Sequence, residues 1–157
     1  MINTRDVHAL VPRVRNKCKA FLLHCTSQGL DVIVTSTFRD HAAQAELYAR
    51  GRTAPGRIVT WAGPGESFHN YGVAFDVVPL RLGKCVWGTS GDGIDNDPTD
   101  DDTDDLELWQ RLGAIGEECG LEWAGHWPRR KREFPHFQDP NGYALADYQA
   151  GRVPTET

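Results

Sequence analysis

No apolar run in this sequence approaches the roughly 18 residues that cross a bilayer, so neither a spanning helix nor stable membrane association is expected. The N-terminus, Met1-Ile2-Asn3-Thr4-Arg5-Asp6, lacks a basic stretch followed by an apolar one. No signal peptide is therefore expected, and synthesis in the cytoplasm is. Cys-x-x-Cys pairs are missing, which argues against a cysteine zinc site. The four cysteines (Cys18, Cys25, Cys85, Cys119) are expected to be buried free thiols. Neither an internal repeat nor a linker interrupts the chain. Residues 1–157 are expected to form one domain, with an irregular acidic loop over 88–105 and a flexible tail from about residue 150 onward. No recognised nucleic-acid-reading motif accompanies the basic run Arg129-Arg130-Lys131-Arg132, which reads as a solvated stretch. Nucleic acid is not an expected partner, and a monomer is expected.

The net charge of −5 is local in origin. Residues 92–105 hold eight Asp and no basic residue; the rest of the chain has 17 basic against 14 acidic side chains. Affinity for cationic partners in general does not follow. The stretch Asp92–Asp105 has two readings. It is either a solvated loop whose last Asp residues favour the start of the following helix, or a Ca²⁺ site built from carboxylates. It is not an EF-hand: counted from Asp95, position six is Asp100 rather than Gly and position twelve is Leu106 rather than Glu.

Apolar residues at Val7, Leu10, Val11, Val14, Cys18, Phe21, Leu22 and Cys25 predict an amphipathic helix that restarts at Pro12 and stops at Gly29. Asp31–Ser36 predicts a buried strand, and residues from about Asp40 to Arg50 a second helix. Between Thr53 and Gly65 the sequence reads as loop, with a short strand at Arg57–Thr60. Val73–Val78 predicts a strand closed by Pro79, with Cys85–Trp87 beside it. A third helix is expected over Leu106–Cys119, two short strands near Leu121–Ala124 and His136–Gln138, and a short helix beyond Tyr143. The fold class is α+β: helices packed on a small, mainly antiparallel sheet.

Two segments carry the chemistry. Ser67-Phe68-His69-Asn70-Tyr71-Gly72-Val73-Ala74-Phe75-Asp76 supplies an imidazole and, seven residues on, a carboxylate. Glu133-Phe134-Pro135-His136-Phe137 supplies a second carboxylate and a second imidazole. Two His and one Asp are the three protein ligands of a catalytic zinc, with a fourth position left for water. Asp76 is the anomaly, a carboxylate inside an otherwise apolar strand, where an unpaired charge costs several kcal/mol or more. Metal coordination and a buried salt bridge both resolve that cost. His136, fixed between Pro135 and Phe137 with Glu133 upstream, favours the metal. The residues thus predict a zinc hydrolase on the sheet, with Glu133 as the base. His8, His24 and His41 are given no role.

The pattern Ser-x-His-x-x-Gly-x-Ala-x-Asp at 67–76 with Glu-x-x-His at 133–136 resembles the zinc-dependent peptidoglycan peptidases, which include D-alanyl-D-alanine carboxypeptidases and L-alanyl-D-glutamate endopeptidases. Ser36-Thr37-Phe38-Arg39 with Gln44, and Leu121-Glu122-Trp123-Ala124-Gly125-His126-Trp127, extend the resemblance to about residues 4–140. It implies that His69, Asp76 and His136 hold Zn²⁺ and that Glu133 is the general base. Arg39 would stabilise an oxyanion or grip a substrate carboxylate, against a plain salt bridge to Asp40 or Glu46. Ser67, Gln44 and His126 would be substrate contacts. The order of segments is most similar to the phage endolysin endopeptidases, implying peptidoglycan as partner and action at the wall after release from the host cytoplasm. Two alternatives stay open: a D-alanyl-D-alanine carboxypeptidase, and a zinc-stabilised wall-binding domain without turnover.

Overall fold

The first helical pattern breaks where the proline requires it. A 3-10 turn at Val7–Ala9 is capped by Asp6, and α1 then runs over Pro12–Ser27 with proline in its first turn, where no intrahelical N–H is lost. These elements come from a computed structural model that describes residues 1–91 and 104–157. Strand β1 covers Asp31–Ser36 and α2 covers His41–Ala49, N-capped by Asp40, whose carboxylate accepts from Ala43 N–H at 2.8 Å. A 3-10 turn at Phe68–Tyr71 leads into β2, Ala74–Arg81, followed by the two-residue β3, Lys84–Cys85. Helix α3 is Asp105–Glu118, β4 Glu122–Trp123, β5 His136–Gln138 and α4 Leu145–Gln149.

Every strand pairing is antiparallel, in the order β1-β2-β5-β4 with β3 against β2. The α+β expectation therefore holds. Along β2 and β5 the period of two sorts the side chains. Phe75, Val77 and Phe137 join the core beneath α1 and α3, while Asp76, His136 and Gln138 turn to the opposite face. Phe21 of α1 lies 5.0 Å from Phe137 and 6.0 Å from Phe75 between ring centroids, and Phe75 stacks on Phe137 at 5.7 Å. Val14, Cys18 and Cys25 complete the buried stripe of α1, and Trp109, Leu112 and Ile115 that of α3.

Four local expectations need correction. Strand β2 is not closed by Pro79 but continues to Arg81. The Pro79 carbonyl accepts from Val86 N–H at 2.9 Å, so its missing N–H also faces the short edge strand β3, the place where a sheet tolerates proline. Arg57–Thr60 is not a strand, since no strand among the described residues pairs with it; side chains of Arg52 and Gln44 hold the carbonyls of Thr60 and Ala62 instead. All four cysteines are free, but only Cys18 and Cys25 are buried, their thiols pushed up to about 12 mainly by burial. Cys85 is exposed on the edge strand and Cys119 is half-buried. The tail expected to fray lies against α1, where Glu156 accepts from the backbone and side chain of Arg13 at 3.0 and 3.1 Å.

Candidate metal centre

Sheet register brings the three predicted ligands together. Asp76 on β2 faces His136 on β5 in a direct cross-strand pair. On the other side of β2 an irregularity between Val34 and Ser36 sets Ser36 opposite Asp76. His69 arrives from the 3-10 turn before β2. Ser67 caps that turn by accepting from His69 N–H at 3.3 Å, and Asn70 completes a capping box. Gly72 ends the turn at φ 69°, left-handed geometry that suits glycine, and the chain enters β2. One ligand atom from each of His69, Asp76 and His136 lies within 4.8 Å of the others.

The imidazoles are set in complementary tautomers. His69 Nδ1 lies 2.7 Å from the Thr37 carbonyl, an acceptor only, so Nδ1 carries the proton and Nε2 is left with its lone pair, 3.2 Å from Asp76 Oδ1. His136 has the reverse arrangement. Its Nε2 lies 2.8 Å from Gln138 Oε1, which leaves Nδ1 free, again 3.2 Å from Asp76 Oδ1. The amide of Gln138 is oriented in turn: its Nε2 donates to Glu122 Oε2 at 2.9 Å, so its oxygen must face His136. Glu122 Oε1 accepts from Trp127 Nε1 at 2.7 Å, and the Trp127 ring lies 5.5 Å from that of His136. Glu122 thereby fixes both groups that hold His136. Two imidazole nitrogens, each oriented by a partner behind its ring, and one carboxylate oxygen form a donor set suited to zinc.

Without metal the same two nitrogens can each take a proton and donate it to Asp76 Oδ1. Burial alone would raise the Asp76 carboxyl, but the charges and hydrogen bonds of His69 and His136 hold it well below the usual carboxylate range. Burial also disfavours protonated His136; Asp76 outweighs it, with help from Glu133, and the His136 pKa is raised.

Glu133 stands beside the centre, Oε2 3.8 Å from His136 Nδ1, with its side chain 60% exposed in the cleft. The turn through Pro135, not strand periodicity, lets residues three apart share this side. Arg39 lines the same cleft. Its Nη1 donates to Gln44 Oε1 at 2.8 Å and Nη2 to Ser36 Oγ at 3.1 Å, so no salt bridge to Asp40 or Glu46 is formed. Burial lowers the Arg39 pKa, opposed by Asp76 and Glu133. Gln44 is fully buried between Arg39 and the Ala62 carbonyl, 2.7 Å from its Nε2; it supports Arg39 and does not reach the cleft. Ser67 lines the cleft and caps the His69 turn. His126 is turned away: it is exposed, pairs with Glu117 of α3 at 2.7 Å and packs edge-on against Trp123. It does not line the cleft, where the turn at Ala124–His126 presents Trp127 instead.

The cleft has a volume of about 1040 Å³. Arg50, Lys131 and Arg132 line it together with Arg39, so half of the run read as solvated borders the site. The calcium reading of Asp92–Asp105 falls mostly outside the described residues. Within them, Asp104 caps α3 by accepting from Glu107 N–H at 2.8 Å, and Asp105 pairs with Arg81 at 2.6 Å. Sequence reasoning missed Trp127, Glu122 and the Thr37 carbonyl. Gln138 was within reach, since two residues after His136 on a strand means the same face.

Residues 7–133 match the VanY family, described as D-alanyl-D-alanine carboxypeptidase. The chain is 37% identical over 134 residues to the peptidoglycan L-alanyl-D-glutamate endopeptidase CwlK of Bacillus subtilis, covering 85% of this chain and 73% of that protein. Among solved structures, the Serratia marcescens L-Ala D-Glu endopeptidase ChiX is similar with a TM-score of 0.56 and 21% identity, over 90% of this chain and 86% of that one. The vancomycin-resistance D,D-pentapeptidase VanY, solved with Zn(II), gives a TM-score of 0.56 at 17% identity, over 90% and 79% of the two chains. Matched along most of its length, and with this fold, the chain belongs to the VanY family.

Proposed function

We propose that this chain is a zinc peptidase that hydrolyses the L-alanyl-D-glutamate bond of peptidoglycan stem peptides. The observation that carries the reading is the convergence of His69 Nε2 and His136 Nδ1, each 3.2 Å from Asp76 Oδ1, with Glu133 alongside. The bond is chosen by the 37% identity to an endopeptidase of that specificity. When bound, zinc supplies Lewis acidity, polarising a carbonyl and easing deprotonation of the attacking water.

The chain's own residues do the rest. His69, Asp76 and His136 would hold the ion. Glu133 lies within one water's reach of the ligand nitrogen of His136, takes the proton of the attacking water and returns it to the leaving amine. Arg39, fixed by Gln44 and Ser36, is positioned to meet the oxyanion or a substrate carboxylate, a task suited to a permanently charged planar fork. Arg50, Lys131 and Arg132 favour an anionic peptide in the cleft.

The description of the matched family favours a second reading, release of terminal D-alanine by the same centre. Digestion of purified peptidoglycan, with new termini identified by mass spectrometry, separates the two. New D-glutamate amines support the endopeptidase, and free D-alanine supports the carboxypeptidase. No new termini with zinc present would leave a wall-binding domain. The biological role we read is that of an endolysin, delivered to the wall from the cytoplasm; it is supported by the order of sequence segments. Lysis of cells that make the protein only when a pore-forming protein is co-expressed is the expected outcome.

A further inference from the structure

The rim of the cleft carries a stack that the peptidase chemistry does not use. The guanidinium carbon of Arg52 lies 3.8 Å from the centroid of the Tyr48 ring and 5.5 Å from that of Trp61. Arg52 is itself held, donating from Nη1 to the Tyr48 carbonyl at 2.6 Å and from Nη2 to the Thr60 carbonyl at 3.1 Å. It therefore joins the end of α2 to the following loop and backs Trp61. Trp61 itself is 76% exposed, with Val59 at 48% and Tyr48 at 37%. Scattered exposed apolar residues are normal, but a group of them gathered around one held guanidinium beside a cleft points to a binding surface.

Its position indicates what binds. Thr60 and Ala62, on either side of Trp61, line the cleft, as does Val59. Gln44 accepts from Arg39 and donates to the Ala62 carbonyl, so the platform and the cleft arginine share one support. A stable protein partner needs roughly 800 Å² from each side, far more than these side chains around one indole offer. One pyranose ring matches one indole.

We propose that Trp61, with Tyr48 and Arg52, is a binding site for the glycan strand of the wall, a polymer of N-acetylated aminosugars. The inference rests on the proposed peptidoglycan substrate, whose strand continues past the cleft that holds the stem peptide. The C–H face of a sugar ring packs on the negative face of the indole, and Arg52 keeps N–H groups for hydroxyl or acetamide oxygens.

The test has two arms. Oligomers of N-acetylglucosamine and N-acetylmuramic acid without peptide are titrated into the protein while the Trp61 indole N–H resonance is followed. Rates are also compared on intact sacculi and on a soluble stem peptide. The resonance is expected to shift with glycan. Trp61→Ala should weaken glycan binding about threefold to tenfold and lower the ratio of sacculus to soluble-peptide rates, and Trp61→Phe should recover most of both. An indole resonance that ignores glycan, or a ratio that Trp61→Ala does not alter, overturns the proposal. If neither substrate is cut, the peptidase reading fails and the titration alone decides the platform.

Discussion

Glu133 and Gln138 flank His136 at three residues before and two after, and they divide its duties. Glu133 Oε2 lies 3.8 Å from His136 Nδ1 on a side chain that is 60% exposed, which suits the proposed role of proton carrier. Glu133→Gln should fold, bind one zinc and lose at least about a hundredfold in turnover, because the amide cannot take the proton. Near-normal turnover with zinc bound would remove Glu133 as the base. Gln138, buried behind His136, acts through another residue. Gln138→Leu removes the acceptor that keeps the proton on Nε2, and the Nδ1 lone pair is no longer enforced. Zinc affinity, measured by competition with a chelator, should fall about tenfold to a hundredfold. Nitrogen shifts of His136 in the metal-free variant should show mixed tautomers, and a single tautomer would contradict the relay from Glu122.

At the scale of elements, α3 approaches the sheet closely because it has no side chain at two positions. A Cβ at Gly113 would stand 2.1 Å from Trp123, and one at Gly116 2.3 Å from Phe137. Alanine gains about 1 kcal/mol of helix propensity over glycine, whereas overpacking a well-filled core costs about 1–3 kcal/mol. Gly116→Ala is therefore expected to melt lower, and to bind zinc more weakly because displaced Phe137 carries His136 with it. A variant that melts higher would show that Phe137 can move freely. Much of this layer could be read in advance. The apolar stripe of α1, its restart at Pro12 and strand β1 follow from spacing and propensity, and Asp76 betrays itself as a charge in an apolar strand. Less legible was whatever depends on contacts far along the chain. Pro79 stays within β2 because its vacant side faces a two-residue edge, and Arg57–Thr60 stays irregular, packed against Gly51 and held at Thr60 by the Arg52 side chain. Arg39 finds Gln44 rather than Asp40, which is occupied capping α2 and holding Ile2 N–H at 2.6 Å. His126 and Trp127 are adjacent in sequence, and only the turn decides which one meets the cleft.

For the molecule as a whole, the centre couples stability to pH. Without metal, the raised pKa of His136 means that the folded state holds that proton more tightly than the unfolded chain. Its contribution is fully present below an unfolded value of about 6.5 and is lost as pH rises through the folded value. Asp76 is depressed, so its contribution is present above an unfolded value of about 3.9 and is lost as pH falls. The metal-free protein should therefore melt highest in mildly acidic buffer. Zinc binds the deprotonated ligands, so its added stabilisation should grow toward neutral pH. Melting curves with chelator and with zinc, across this range, test both signs. A chelated protein that gains stability steadily from acid to neutral pH would count against the Asp76–His136 pair.

Strand order has a consequence for biosynthesis. The last strand in sequence, β5, does not join an edge of the finished sheet but fills the place between β2 and β4, and it brings the third candidate ligand with it. His69 and Asp76 are made early and lie seven residues apart, yet their centre stays incomplete until residue 136 has left the ribosome and inserted. A nascent chain halted after α3 would own two donors and no third, so it would not retain the ion tightly. Pairings that span so much of the chain also form slowly. On the zinc-peptidase reading, a chain cut short before β5 would be inactive, and metal would be captured only once β5 has inserted.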